Sequence, residues 1–356
     1  MASSYGRTTT QSTNTARHIS LKYECSDRCS NDESVPRASL LPPREVPLAY
    51  TPRVEIPINH GGVPLASLRK AFFWQLSVLV FCIPLVNLAL AQSGNETLPA
   101  PPHSDSVHRK HVLVIGETDG WEHESVSAAM DAIYTMGKSS GLWDTEMRTD
   151  TKPLTKKDLP LNGKNLNYFD AVVFTSTTGE LSLDASQKQD FLSFIHDDGK
   201  GFVGIHAALD TNYTWPEYGE MIGGYFDQHP WMTFMAPIVN EDPTFPAVRH
   251  FSREFVKYDE IYQPKDWSRD KVNVLLSLDA RKLDYSNNPR IHRQDHDFAV
   301  AWSKMYGKGR VFYSTLGHTQ DSWDDPDIRT MYFEAIKWAL RLTDGTTASH
   351  PRVQTP

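Results

Sequence analysis

From about residue 110 onward, short apolar runs alternate with stretches of helical periodicity, and their order predicts an α/β fold. His111-Val-Leu-Val-Ile-Gly116 reads as a first buried strand, ending in the polar loop Glu117–His123. A helix follows from Ser125 to about Ser140, with Ala128, Ala129, Ala132, Ile133 and Met136 on its buried face. Thr145–Thr149 and Tyr168–Thr175 are the next strands, and Asp184 opens a helix that turns Phe191, Phe194 and Ile195 inward. Gly201-Phe-Val-Gly-Ile205 is a fourth strand, followed at once by His206.

After Trp215-Pro216 the pattern loosens into a glycine-marked loop over Met221–Pro230. Strands are expected again at Met235–Asn240, Asn273–Leu278, Phe298–Trp302 and Gly309–Thr315, the last two joined by a hairpin at Tyr306–Gly309. A closing helix runs from Asp327 to about Leu342. Alternation of this kind predicts a doubly wound, mostly parallel sheet covered on both faces.

Upstream the composition changes. Residues 1–70 are rich in Ser, Thr, Pro and Arg without apolar periodicity, and are expected to stay disordered. Ala71–Ala91 is uncharged over a length sufficient to cross a bilayer. Arg69 and Lys70 precede it, and no basic residue follows until Arg109, so the positive-inside rule predicts a cytosolic N-terminus and a translocated domain. The expectation is a single-pass type II signal-anchor. The alternative is a secreted protein cleaved near Ala91, since Ala89-Leu-Ala91 fits a signal-peptidase site. Residues 92–109 are then a linker, 110–344 the folded domain, and 345–356 a disordered tail. Sequons at Asn95 and Asn212 lie on the translocated side.

The chain's net charge of −8 arises in the region after the linker, which disfavours nucleic acid as a partner. All three cysteines, Cys25, Cys29 and Cys82, lie upstream of the domain, so no disulfide framework stabilises it and no thiolate attacks within it. No Gly-x-Ser-x-Gly is present, which leaves a serine triad unsupported. Imidazoles and carboxylates gather instead at predicted strand ends: His123 after the first strand, His206 with Asp210 after the fourth, and His318 after Thr315-Leu-Gly317. His229, Asp259-Glu260 and Asp295-His296 are placed in intervening loops. Such a rim supports proton transfer or a divalent metal, most plausibly zinc, among His123, His206, His229 and His318, although no compact ligand motif is present. Trp215, Trp231, Trp302 and Trp323 offer faces that pack on pyranosides, with core packing the competing role for at least half of them.

Several blocks, in order, carry a resemblance. They are His123-Glu-Ser125, Gly201-Phe-Val-Gly-Ile-His-Ala-Ala-Leu-Asp-Thr211, Trp215-Pro-Glu-Tyr218, Gly223-Gly-Tyr-Phe226 with His229-Pro230, Asp259-Glu-Ile-Tyr262, Ala301-Trp302 and Tyr306-Gly-Lys-Gly-Arg-Val-Phe-Tyr-Ser-Thr-Leu-Gly-His318. Over residues 110–342 the chain resembles the ThuA-like family, named from trehalose utilisation and similar in fold to class I glutamine amidotransferases. The resemblance implies a flavodoxin-like sheet with His206 at the elbow where amidotransferases place cysteine, which argues against glutaminase activity. It also implies a small carbohydrate substrate, a disaccharide or 3-keto-sugar, and relatives carry the label of glycosyl hydrolase. On that reading His206 is a general base or metal ligand beside His123, Glu260 and His318, and Asp210, Trp215, His229 and Trp302 contact substrate. The alternative is a non-catalytic carbohydrate-binding module. Where the family shows Asp-His-Pro before its Ile-Ala-Trp strand, this chain reads Asp295-His-Asp-Phe-Ala-Val-Ala-Trp302, which leaves the role of His296 open.

Overall fold

The computed structural model of the chain describes residues 109–353. The leader, the apolar run Ala71–Ala91 and the Asn95 sequon lie outside the described residues. Among the described residues, no helix is long and apolar enough to cross a membrane.

Four α-helices and eleven strands follow one another in this order: β1 (Lys110–Ile115), α1 (Ser125–Ser140), β2 (Trp143–Arg148), β3 (Ala171–Thr175), α2 (Ala185–His196), β4 (Gly201–Ile205), α3 (Pro216–Ile222), β5 (Tyr225–Gln228), β6 (Thr233–Asn240), β7 (Glu254–Glu260), β8 (Gln263–Lys265), β9 (Asn273–Leu278), β10 (Ala299–Tyr306), β11 (Gly309–Ser314) and α4 (Pro326–Ala339). Nine strands make one sheet in the order β2-β1-β3-β4-β11-β10-β9-β6-β7, and β5 pairs with β8 apart from it. From β2 to β11 every pairing is parallel. From β11 to β7 every pairing is antiparallel. The doubly wound parallel unit expected from the alternation is therefore one half of a mixed sheet, extended by hairpin-connected strands.

Apart from the partly exposed edge strand β2, the parallel half is buried on both faces, and each strand's period of two divides its side chains between two cores. Val112 and Val114 pack with α1 and α4, where Ile133, Met136, Tyr332 and Ile336 are buried. Leu113, Ile115, Phe174 and Phe202 pack on the other face with Phe191 and Phe194 of α2 and Tyr218 and Ile222 of α3. Asp184 caps α2 with its side chain on the Gln187 amide, and Gln187 reaches back to the Asp184 amide, a capping box that starts the helix where the sequence places it.

Five elements differ from expectation, two of them the short paired strands β5, inside the expected loop Met221–Pro230, and β8. α3 occupies a stretch expected to be loop; it is seven residues long, opens with Pro216 in its first turn and stops at Gly223, whose φ is +112°. β7 was not expected, because its exposed set, Glu254, Val256 and Tyr258, and its inner set, Phe255 and Lys257, each mix apolar and charged residues. Asp259 and Glu260 consequently end a strand instead of sitting in a loop. The tail after Asp344 is docked as far as Val353. Thr346 accepts hydrogen bonds through its carbonyl from Asn273 Nδ2 (3.1 Å) and Ser303 Oγ (3.3 Å), and His350 Nε2 lies 2.9 Å from the Val274 carbonyl.

β7 runs in the same direction as β4 and β11, since the strands between them reverse in pairs. The carboxyl ends of β1, β4, β7 and β11 therefore share one rim of the sheet, where ligands bind in open α/β folds.

Candidate functional site

His206 sits at the bend after β4 with φ +48°, a left-handed conformation that costs a side-chain-bearing residue energy and is held here by its surroundings. The Tyr313 hydroxyl donates to the His206 carbonyl (2.7 Å), and Tyr262 packs on the imidazole at 4.4 Å. The ring is fully buried, and Nδ1 lies 2.6 Å from the Thr315 carbonyl oxygen. A carbonyl only accepts, so Nδ1 holds the proton and Nε2 keeps its lone pair.

Nε2 of His206 lies 3.0 Å from His318 Nδ1 and 3.6 Å from Glu260 Oε2. His318 Nδ1 is 3.4 Å from the same carboxylate oxygen. The His123 ring meets those of His206 and His318 edge-on at 4.9 and 5.2 Å. One ligand atom from each of His123, His206, Glu260 and His318 falls within 4.8 Å of all the others. Donors about 2.0–2.1 Å from a tetrahedral ion sit about 3.3 Å apart, so three of these atoms are already at ligand-to-ligand spacing. His123 is itself nearly buried beside these rings. Burial, reinforced by the nearby His318, lowers the His123 pKa to about 4, and burial drives His206 well below the ordinary imidazole value. Both rings are therefore neutral, the form that ligates a cation. The residues fit a divalent metal.

Two neighbours set the quartet in place. Glu260 Oε1 accepts from His229 Nδ1 at 2.6 Å, which orients the carboxylate and leaves Oε2 for the centre. His229 thus lies outside the group of four, where Glu260 stands and His229 was expected to join. Asp259, one residue earlier on β7, points the other way, as successive strand residues must. Its buried carboxylate accepts from the amides of Gly317 (2.8 Å), His318 (3.0 Å) and Glu260 (2.8 Å) and from Ser322 Oγ (3.0 Å). This one side chain clamps the loop that displays His318. The sequence marks Asp259 only as half of an Asp-Glu pair, without this clamping role, and offers no signal for the Thr315 carbonyl.

Of the expected substrate contacts, Asp210 lies beside the centre. Burial raises its carboxyl pKa, its charge is felt at His229 and Glu260, and Tyr213 donates to it at 2.5 Å. Trp302 does not reach a ligand. It is fully buried, packs on Tyr313 and donates through Nε1 to the Ile222 carbonyl (2.9 Å). Trp215 is likewise a core residue, packed against Phe191 and Tyr218. Bulky apolar rings beside α3 were claimed by its packing. His296 stacks on Tyr285 at 4.2 Å and takes no part in the quartet.

A doubly wound sheet with three histidines and a glutamate converging at its carboxyl rim defines the class. Residues 111–339 match the family model for ThuA, trehalose utilisation, and the chain belongs to that family. Among solved structures it is similar to a ThuA-like protein from Bacteroides uniformis, with TM-score 0.54 and 20% identity over 65% of this chain and 91% of that one. It is also similar to a ThuA-like protein from Parabacteroides merdae, with TM-score 0.49 and 16% identity over 68% and 97% of the two chains. No curated protein matches the chain.

Proposed function

We propose that this protein is a divalent-metal-dependent enzyme that acts on a small carbohydrate, a disaccharide or 3-keto-sugar, by histidine and carboxylate acid–base chemistry. The observation that supports the reading is the convergence of His123, His206, Glu260 and His318 within 4.8 Å. These four would hold the cation, which when bound supplies Lewis acidity toward a substrate hydroxyl or carbonyl oxygen. Zinc suits a set of three imidazoles and one carboxylate.

His206 has no free nitrogen for proton transfer, because Nδ1 is committed to Thr315 and Nε2 faces the quartet. Its role is ligation. Proton transfer falls to His229, whose ring is partly open to solvent while Nδ1 is held by Glu260. Asp210, with its carboxyl pKa raised by burial, is the second acid–base group.

The full chain purified without a histidine tag should contain about one divalent ion per molecule and convert disaccharides or 3-keto-disaccharides. His206→Ala should lose both metal and turnover. Sub-stoichiometric metal with chelator-insensitive turnover defeats the metal role. Saccharide binding with no conversion leaves a carbohydrate-binding module. We further propose that Ala71–Ala91 anchors the chain as a type II membrane protein with its domain outside the cytosol.

A further inference from the structure

The tail after α4 docks at the end of the sheet away from the quartet, against the residue that follows β6 and the start of β9. Thr346 fixes its first part through the hydrogen bonds from Asn273 and Ser303. Beyond it, His350 lies between two carbonyl oxygens, with Nε2 2.9 Å from that of Val274 and Nδ1 2.8 Å from that of Pro351. Carbonyls only accept, so both contacts are hydrogen bonds only when both ring nitrogens carry protons. A neutral imidazole, in either tautomer, sets a lone pair against one of the two oxygens. The docked geometry therefore suits the imidazolium.

The surroundings supply its countercharge. Glu241 Oε2 lies 4.0 Å from His350 Nδ1 and accepts from the Val353 amide at 3.1 Å, so one carboxylate meets the tail twice. Both Glu241 oxygens also accept from Arg269, in the turn before β9, at 2.9 and 3.0 Å. Arg269 is shared in turn with Asp297, at 2.6 and 2.7 Å. Two carboxylates on one guanidinium leave a negative charge over. The Glu241 side chain is closed to solvent, so a further cation beside it is favoured. Asp242, the next residue, accepts from Asn273 Nδ2 at 3.1 Å and adds to the negative field. Arg352 is the like charge on the tail itself. It lines a hollow of about 320 Å³ with Val353, Asp279, Arg281, Asp295 and His296.

We infer that residues 347–353 form a pH-operated strap, docked while His350 is an imidazolium and released as the ring gives up one of its two protons. Docking takes up a proton, so it strengthens as pH falls. It weakens as pH rises through the range in which imidazoles titrate, ordinarily about 6.5. Release withdraws Arg352 and Val353 from the wall of the hollow and the Val353 amide from Glu241, which opens that end of the sheet to solvent. The strap needs nothing bound at the quartet, which lies at the opposite rim.

Hydrogen–deuterium exchange of the full chain tests this, read by mass spectrometry on the C-terminal peptide and corrected for the intrinsic pH dependence of amide exchange. Between about pH 5.5 and about pH 8, protection around the Val353 amide should fall about tenfold. His350→Gln keeps a donor but does not titrate, so its tail should show the same protection at both pH values. His350→Ala should leave the tail unprotected at both. The residue is partly exposed and lies on the tail, so neither variant endangers the fold. Equal protection of the wild-type tail at both pH values, or protection at neither, overturns the inference. So does a pH dependence that persists in His350→Gln, which would assign the titration to Glu241, Asp295 or His296.

Discussion

His206 Nδ1 lies 2.6 Å from the carbonyl oxygen of Thr315, and that contact decides which nitrogen of the ring is left for a ligand. Thr315 follows the last residue of β11, in the segment that leads into His318, so a backbone group of one segment of the quartet orients the imidazole of another. The Thr315 hydroxyl extends the link to the third segment, accepting from the Tyr262 amide (3.0 Å) and donating to the Glu260 carbonyl (3.3 Å). The loops after β4, β7 and β11 are thus tied together by residues that do not ligate.

Asp259→Asn should weaken metal binding about 10- to 100-fold, the usual effect of losing an outer-shell partner. Oδ1 takes the His318 and Glu260 amides and Oδ2 takes the Gly317 amide and Ser322 Oγ, so replacing either oxygen with a donor deprives two of the four of their acceptor. Competition against a graded chelator measures the change. Affinity equal to wild type would show that the His318 loop holds itself, for example through Gly317, whose φ of +112° already favours glycine.

His229→Gln and His229→Ala should separate orientation from proton transfer. Glutamine retains a donor toward Glu260 Oε1, so metal content should stay near wild type while kcat falls about 100-fold or more. Alanine should lose metal affinity as well. A kcat unchanged in His229→Gln would assign proton transfer elsewhere, with Asp210 the next group to test.

The metal-free protein should lose stability as pH falls. The folded-state pKa of His123 is about 4, below the ordinary 6.5, so between these values the unfolded chain binds the proton and the folded chain does not. Its contribution is complete above about pH 6.5, declines as pH drops toward 4 and is flat below that, a loss of about 3 kcal/mol. His206, shifted in the same direction, deepens the decline. Thermal melts of chelated protein from pH 7 to 4 measure it, and His123→Gln should flatten the curve. A melting temperature that holds steady over that range contradicts the burial argument.

Much of this architecture was legible in the sequence wherever one period dominated. α1, α2, β4 and the β10–β11 hairpin fall where apolar spacing, the Asp184 cap and the glycine turn put them. His123, His206 and His318 were expected at one rim because each follows a parallel strand, and the quartet includes all three. Glu260 was placed beside them through the family resemblance, without its strand, because β7 mixes charge into both of its faces. What sequence could not supply was direction across β7, the opposed projection that brings Glu260 into the quartet and makes Asp259 a clamp. Nor could it separate buried indoles from exposed ones. Trp302 is consumed by the Ile222 carbonyl at the end of α3, while Trp121, in a loop of polar residues, is left in solvent.

Asn212 should remain unglycosylated even if the domain enters the secretory pathway. Its side chain is fully buried, its Oδ1 accepts from the Leu181 amide at 3.0 Å, and Nδ2, the atom a glycan would modify, is buried without a partner. Its φ of +56° fixes the turn two residues beyond Asp210. A glycan on Nδ2 has no space there and would force the loop beside Asp210 open. If Ala71–Ala91 inserts with Arg69 and Lys70 on the cytosolic side, proteolysis of intact microsomes should remove residues 1–70 and spare the domain. Mass spectrometry of the protected fragment should then find Asn212 bare. Asn95, only four residues past the apolar run, should be bare too if the segment stays an anchor. Digestion of both halves would mean that the chain is not inserted. Release of a soluble form beginning at Gln92 would identify the apolar run as a cleaved signal, and a fully occupied Asn212 in active protein would contradict the packing described for that turn.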